Sequence, residues 1–564
     1  MTATVALQIV DVLREFGVDR VFGIPGGAIS AFYAALLERP DVQIVTAKHE
    51  TGAAFMAMGY ALATGRPGVV VTTAGPGITN ALTGVASANY EGLPLVLIAG
   101  EVPRSSFGRG ALQEGSSASF DAVTLVRRFV KFAVQLSQAG PAAAQVRKAL
   151  VTAYSGRRGA VFVSLPLDVA ATPQAAHEIA GTVRSTFDVD EGACARALEL
   201  LEHAQRPLIL CGSGAREPTS RRALVRLAEH LQAPVAVTTK AKSVFPEEHP
   251  LYLGLFGFGG HDSVTDYLAS GVDVLLVCAS GLNDFETNAW SPALRPLRAF
   301  VQIDIDSAQF GRNYPVDIGL LGPADAVIGR MLDRRAELLP PRPPLGLAGP
   351  RYQPLVPSAR GMLTTAEVVA CCNEVCPAQS VFTADMGEHL AVALHYLRVR
   401  DGGDFFTPLG FGSMGSGICA AIGYQLGAPR RRTFALCGDG GFLMHGNELA
   451  TAVQHAAPTT FLVMNDARLN MVHHGMRALY GATPDFGTQT IDFAAMAHAM
   501  GAAGHVVRTR PELEALLAEP AQGPVVLDVR IDPDVRLTGS QRNAALRQFQ
   551  EGDEPRADAP RRLP

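Results

Sequence analysis

Thr433-Phe434-Ala435-Leu436-Cys437-Gly438-Asp439-Gly440-Gly441 and, further on, Phe461-Leu462-Val463-Met464-Asn465-Asp466 decide how this chain is read. Each is a short apolar run that ends in an acid. Buried parallel strands read as continuous apolar runs, and open α/β sheets bind ligands beyond the carboxyl ends of their strands. A helix-like stretch, Asn447 to Ala452, separates the two runs, so Asp439 and Asp466 are expected at the ends of two parallel strands. Gly438, Gly440 and Gly441 let a bulky anion approach the backbone, and a carboxylate is a hard oxygen ligand for Mg²⁺, which commonly keeps phosphate oxygens in its shell. A lone Gly-Asp-Gly is as often a tight turn with a solvated acid. The second strand end turns the reading towards a metal-bridged diphosphate.

The same alternation of apolar runs and helical patterns fills the chain, as in Val69-Val70-Val71, Leu95-Val96-Leu97-Ile98, Leu208-Ile209-Leu210, Val274-Leu275-Leu276-Val277 and Val525-Val526-Leu527. At 564 residues the chain exceeds one hydrophobic core, and length indicates about three domains. Composition places them at 1–175, 185–338 and 359–545, with a proline-rich linker at 339–358 that contains Pro340-Pro341 and Pro343-Pro344, and a charged tail at 546–564. The expected fold is α/β, with three doubly wound parallel-sheet domains. A net charge of −5 with only short basic stretches, such as Arg430-Arg431-Arg432, predicts no nucleic-acid partner. Asp11, Arg14 and Glu15 interrupt the first segment, and no run is long and apolar enough to span a bilayer, so a soluble cytoplasmic protein without a membrane partner is expected. Of eight cysteines only Cys371, Cys372 and Cys376 cluster, without a second ligand group for zinc.

Gly438-Asp439-Gly440 through Asn465-Asp466, with Asn447-Glu448-Leu449-Ala450-Thr451-Ala452 between, resembles the diphosphate motif of thiamine diphosphate enzymes, the acetolactate synthase-like branch in particular. Val21 to Gly27, Lys48-His49-Glu50-Thr51-Gly52, Gly59-Tyr60-Ala61 and Gly75-Pro76-Gly77-Ile78-Thr79-Asn80 resemble that family's pyrimidine-binding domain, and the resemblance extends over nearly the whole chain. It implies a pyrimidine-binding first domain, a central domain and a diphosphate-binding third domain. Thiamine diphosphate and Mg²⁺ are the implied cofactors, with Asp439, Asp466 and the backbone carbonyl of Arg468 as metal ligands. The implied cofactor residues are Pro25, Gly26, Glu50, Asn80, Gly387, His389, Gly412, Met414, Gly438, Asp439, Gly440, Gly441 and Asp466. Met414 stands where a bulky apolar residue bends the cofactor, and Glu50 where an acid bonds the aminopyrimidine nitrogen and promotes its imino tautomer. Glu50 should therefore occupy an apolar, water-poor place. Glu50, Gln113 and Gly27 are the implied catalytic positions. Because the pyrimidine and diphosphate residues lie in different domains, the resemblance implies a cofactor shared between two chains, hence a homodimer at least and a homotetramer by the habit of relatives.

Enzymes of this kind decarboxylate a 2-oxo acid and then protonate, ligate or oxidise the carbanion that remains. Gly110-Ala111-Leu112-Gln113-Glu114 lacks the histidine pair of the decarboxylases in the family, and glutamine does not deliver a proton as imidazolium does, which favours ligation. Several residues depart from the acetolactate synthase pattern. Asp466 stands for an asparagine, Glu388 for a glutamine, Asn470 for a glycine and Leu112 for a phenylalanine. Gly281 takes the place of the arginine that holds the second oxo acid, and Gly475 that of the tryptophan that narrows the acceptor pocket. Leu112, Gln113, Asn470, His473 and His474 are the expected substrate-side residues. The expectation is a carboligase that decarboxylates a 2-oxo acid, pyruvate foremost, and adds the acyl unit to a carbonyl acceptor other than a second pyruvate. Acetolactate synthase itself, a 2-oxo acid decarboxylase and an FAD-dependent pyruvate oxidase-like oxidoreductase are the alternatives. Gly212-Ser213-Gly214-Ala215 in the central domain leaves FAD possible, though the missing arginine weighs against it.

Overall fold

The computed structural model describes residues 2–175, 187–333 and 346–537. The first of its three six-stranded sheets runs, in spatial order, through Gln43–Thr46, Arg20–Gly23, Gly68–Thr72, Leu95–Glu101, Ala160–Pro166 and Phe132–Gln135. The central sheet runs through Tyr252–Phe256, Val235–Thr238, Leu208–Cys211, Val274–Cys278, Ala299–Asp304 and Ile318–Leu321. The last runs through Asp404–Phe406, Val381–Ala384, Thr433–Gly438, Thr459–Asn465, Val525–Arg530 and Ala503–Val507. Neighbours within all three sheets are parallel, so three doubly wound α/β domains are what the chain forms. Inner strands such as Leu95–Glu101 and Ala160–Pro166 are buried along their whole length because helices cover both faces.

Counted in chain order, the strands of the first and third sheets follow the same sequence, 2-1-3-4-6-5, whereas the central sheet follows 3-2-1-4-5-6, the order of dinucleotide-binding folds. Strand order reverses between Arg20–Gly23 and Gly68–Thr72 in the first sheet and between Val381–Ala384 and Thr433–Gly438 in the third. Those two switch points are where open sheets accept ligands. A short antiparallel pair, Thr2–Thr4 with Pro173–Ala175, ties the two ends of the first domain together.

Helices Glu50–Thr64 and Ser416–Gly427 are apolar nearly all round and join the first and third domains in one core. Small residues let them touch backbone to backbone: a Cβ at Gly423 would overlap the Met56 carbonyl, and one at Gly59 the Ala420 carbonyl. The central domain is fastened to the third by Arg216, whose guanidinium donates to Asp404 at 3.0 Å and to the Phe405 carbonyl at 2.9 Å. Residues 346–358 carry no helix or strand, while the rest of the expected linker at 339–345 and the tail at 546–564 lie outside the described residues. No described helix is long and apolar enough to cross a membrane. Within the short basic stretch Arg430-Arg431-Arg432, Arg431 and Arg432 donate to the carbonyls of Gln379, Gly402, Leu517 and Glu519.

Candidate active site

In the third sheet Thr433–Gly438 and Thr459–Asn465 are neighbours, with Gly438 opposite Met464, so Asp439 and Asp466 emerge side by side. Asp439 opens helix Asp439–His445 and is 6% exposed. Burial raises its pKa, and burial together with the charge of Asp439 pushes Asp466 up to about 7. Two desolvated acids that oppose each other's ionisation make a place that a divalent cation relieves. Asp466 is oriented by two donors: the Arg468 N–H reaches Oδ1 at 3.2 Å and the Asn470 amide reaches Oδ2 at 2.6 Å. Asn470 also donates to the Pro533 carbonyl at 2.8 Å and accepts from Arg468 Nε at 2.7 Å. Among the described residues no group of three or more His, Cys, Asp or Glu could hold a metal, so a cation here would complete its shell from backbone and ligand oxygens.

His389 lies beside this pair, its ring 3.5 Å from the place a Cβ would take on Gly438. Burial holds its pKa down at about 4, and its Nε2 is buried without a partner. An orphaned ring nitrogen, glycines at 438, 440 and 441 and two acids suit a metal-bound diphosphate. Asp385, fully buried at the end of Val381–Ala384, accepts from the N–H groups of Gly415 at 2.7 Å and Gly417 at 3.0 Å. It thereby fixes the loop that carries Gly412 and Met414, and a Cβ at Gly440 would lie 3.2 Å from Met414 Cε. Met414 is thus brought to Gly440.

The first domain assembles a second group at its own switch point. Gly26 faces Thr73, with room for no side chain, because a Cβ there would lie 2.6 Å from the Thr73 hydroxyl. That hydroxyl donates to Gln113 Oε1 at 3.3 Å, and Gln113 itself has a left-handed backbone, φ 64°, above Gly75. Glu50 opens helix Glu50–Thr64, is 8% exposed, and accepts from Asn80 Nδ2 at 3.0 Å through Oε2. Pro25 and Gly27 are exposed beside Gly26, and Leu112 is 86% exposed. No hydrogen bond among the described residues joins Glu50, Asn80, Gly26 or Gln113 to Gly412, Met414, Asp439 or Asp466.

His474 turns to the Pro533 carbonyl at 3.1 Å, while His473 Nδ1 is buried without a partner, and burial lowers both pKa values. Sequence reading gave no role to Asp385 or Glu448. Glu448, fully buried in the third domain, accepts from the N–H groups of Lys48 at 3.0 Å and His49 at 2.9 Å, and so sets the start of the helix that carries Glu50. Its signal was an acid in an otherwise apolar stretch, which a helical pattern alone assigns to a solvated face. In the central domain the glycines of Gly212-Ser213-Gly214 are used by close packing. The Gly212 N–H donates to the Cys278 carbonyl at 2.8 Å, and a Cβ at Gly214 would lie 3.0 Å from that of Ala279.

Two sheets of matching strand order thus each carry a cluster at a switch point, paired acids and an orphaned imidazole beside glycines in the third domain and a buried acid in the first. Comparison with known proteins supports thiamine diphosphate as the cofactor. The thiamine pyrophosphate enzyme N-terminal TPP binding domain matches residues 3–120, the central domain 194–331 and the C-terminal TPP binding domain 385–529. The acetolactate synthase large subunit of Parasynechococcus marenigrum (strain WH8102) is 31% identical over 553 residues, covering 94% of this chain and 88% of the relative. The acetolactate synthase of Mycobacterium bovis is 31% identical over 523 residues, covering 89% and 83%. Among solved structures, the Rhodococcus jostii RHA1 thiamine diphosphate-dependent 4-hydroxybenzoylformate decarboxylase superposes with a TM-score of 0.83 at 26% identity, covering 94% of this chain and 99% of that one. The chain belongs to the thiamine pyrophosphate enzyme family, in its acetolactate synthase-like branch, and is a thiamine diphosphate-dependent enzyme.

Proposed function

We propose that this enzyme is a carboligase that decarboxylates a 2-oxo acid, pyruvate foremost, and transfers the acyl unit to a carbonyl acceptor other than a second pyruvate. The observation that carries the reading is the acceptor side. Position 281 is a glycine, which itself supplies no cation for a second carboxylate; a Cβ there would lie 3.0 Å from Gln309 Oε1, and the nearby Arg312 is turned to that same oxygen at 3.4 Å. Position 475 is also a glycine, and the chain's single tryptophan, Trp290, lies in the central domain. Acetolactate synthesis itself is the second reading, favoured by the names of the relatives.

Asp439, Asp466 and the Arg468 carbonyl would hold Mg²⁺. Gly387, His389, Gly438, Gly440 and Gly441 would hold the diphosphate, and Pro25, Gly26, Asn80, Gly412 and Met414 the pyrimidine. Thiamine diphosphate, when bound, supplies the electron sink that decarboxylation of a 2-oxo acid requires. Glu50 would hold a proton at the aminopyrimidine nitrogen, and because Asn80 takes Oε2, Oε1 is left for that contact. With its Oε1 taken by Thr73, Gln113 presents its NH₂ donors, which orient a carbonyl but do not protonate a carbanion. His473 and Leu112 form the acceptor side; Asn470, expected there, instead has its amide taken by Asp466, Arg468 and Pro533 and so acts through Asp466, and His474 turns to the same Pro533 carbonyl.

Among the described residues no hydrogen bond joins Glu50, Asn80, Gly26 or Gln113 to Gly412, Met414, Asp439 or Asp466, and the family resemblance makes the reading a homodimer at least, with the cofactor between partners, and a homotetramer by relatedness. Eight free, buried cysteines suit a reducing cytoplasm. The packed glycines of the central domain need no nucleotide to explain them, so FAD has no part in the reading. Product analysis of Gln113→Ala tests the mechanism: the ratio of free aldehyde to ligated product should rise, and an unchanged ratio would remove Gln113 from the site.

A further inference from the structure

Helix Pro76–Tyr90 begins at the pyrimidine half-site with Thr79 and Asn80 and ends at Glu91, where all three domains meet. The Glu91 side chain is 4% exposed. One of its oxygens accepts the backbone N–H of Gly410 in the third domain, and the other lies 3.5 Å from Nζ of Lys240 in the central domain. Gly410 is glycine because of this approach: a Cβ there would sit 2.6 Å from Glu91 Oε1 and 3.3 Å from the Tyr90 Cβ. The Tyr90 ring packs beside Phe411, with centroids 5.5 Å apart. Lys240 is itself fixed, since its carbonyl accepts from Arg216 at 2.9 Å, the residue that grips Asp404 and Phe405 at the head of the same loop.

Gly410 to Gly415 is a segment poorly able to hold its own shape. Gly412 and Gly415 adopt φ 71° and 83°, and a glycine-rich backbone loses much entropy on ordering. Its two ends are pinned in the same manner, a buried carboxylate on a backbone N–H: Glu91 on Gly410 and Asp385 on Gly415. Asp385 belongs to the domain that carries the loop, whereas Glu91 reaches it from the first domain. A buried carboxylate is costly unless a cation answers it, and Lys240 does so.

We propose that Glu91, held by Lys240, is a positioning residue that sets the Gly410–Gly415 loop and, through it, Met414 against the cofactor. The inference rests on the reading of Met414 as the residue that bends thiamine diphosphate. Glu91 touches no reacting atom and acts through the loop.

Calorimetric titration of thiamine diphosphate into the Mg²⁺-supplied apoenzyme tests this with Glu91→Ala, Glu91→Gln, Lys240→Met, Met414→Ala and the Glu91→Ala/Met414→Ala pair. Glu91→Ala should weaken cofactor binding roughly tenfold or more, about 1.4 kcal/mol, at an unchanged number of sites per chain. Glu91→Gln, whose carbonyl accepts the same N–H, should lose less. Lys240→Met, which leaves the carboxylate unanswered, should also weaken binding. Glu91→Ala should add little in the Met414→Ala background, because both act on one element. Unchanged affinity in Glu91→Ala alongside weakened binding in Met414→Ala would overturn the role of Glu91 and leave the loop assignment standing. Fewer sites at unchanged affinity would show Glu91 to be merely structural, and overturn it equally. Unchanged affinity in Met414→Ala would defeat the loop assignment, and the role of Glu91 with it.

Discussion

Asp466→Asn restores the residue customary in the family, yet it should harm this protein. The Asp466 carboxylate presents two acceptors, Oδ1 to the Arg468 N–H at 3.2 Å and Oδ2 to the Asn470 amide at 2.6 Å. Asparagine offers one acceptor and one donor. Whichever way its amide turns, an NH₂ group faces an N–H. Asn470 cannot relieve this by turning its own amide, because its oxygen accepts from Arg468 Nε at 2.7 Å and its nitrogen donates to the Pro533 carbonyl at 2.8 Å. A buried donor left facing a donor costs about 1–3 kcal/mol. Expressed as cation binding, that is roughly a 5- to 150-fold loss of affinity. Adding Asn470→Gly, also the family's residue, removes the opposing donor, so the double variant should lose at least about 1 kcal/mol less than the two single losses combined. The assay is calorimetric titration of Mg²⁺ in the presence of thiamine diphosphate. Wild-type affinity in Asp466→Asn, or simple additivity in the double variant, would refute the claim that residues 466 and 470 are a matched pair.

Glu50→Gln should lower carbon dioxide release from the best 2-oxo acid by about a hundredfold or more while cofactor titration remains close to wild type, and an unchanged rate would remove Glu50 from the mechanism. Gly423→Ala gains helix propensity of about 1 kcal/mol but drives a methyl into the Met56 carbonyl, an overlap of two backbones that cannot shift cheaply. The thermal midpoint should therefore fall, and a rise would contradict the packing of the two helices. His261 is buried between Leu255 N–H and the His395 carbonyl, and burial holds its pKa at about 3. From pH 6.5 downward the unfolded chain binds a proton that the folded chain refuses, so stability is lost as pH falls, by about 2 kcal/mol from this residue at pH 5. Urea unfolding of His261→Gln at pH 7 and pH 5 should show a correspondingly shallower dependence, and an unaltered dependence would show that His261 titrates normally.

The placement of the third domain's two acids was legible because strand-end acids beside glycine or asparagine are local patterns, and Asp439 and Asp466 stand side by side as those patterns required. The parallel sheets were legible for the same reason: continuous apolar runs such as Leu95–Glu101 mean burial on both faces. Residues that act across domains were not legible. Glu448 lies 400 and 399 residues along the chain from the Lys48 and His49 amides it holds, and Glu91 319 residues from Gly410. Neither belongs to a periodic pattern, since an acid on or beside a helix looks the same whether solvent or a distant loop receives it. The identical strand order of the first and third sheets was likewise out of reach, because order depends on which runs pair and not on the runs themselves.

The acceptor side of the site bears the central claim, and the products formed from pyruvate, thiamine diphosphate and Mg²⁺, with and without an added aldehyde or ketone, test it most directly. Mass spectrometry should find carbon dioxide release coupled to a ligated product of the added carbonyl compound, with little acetolactate in its absence. Acetolactate as the main product from pyruvate alone would contradict the account and make the glycines at 281 and 475 irrelevant to acceptor choice.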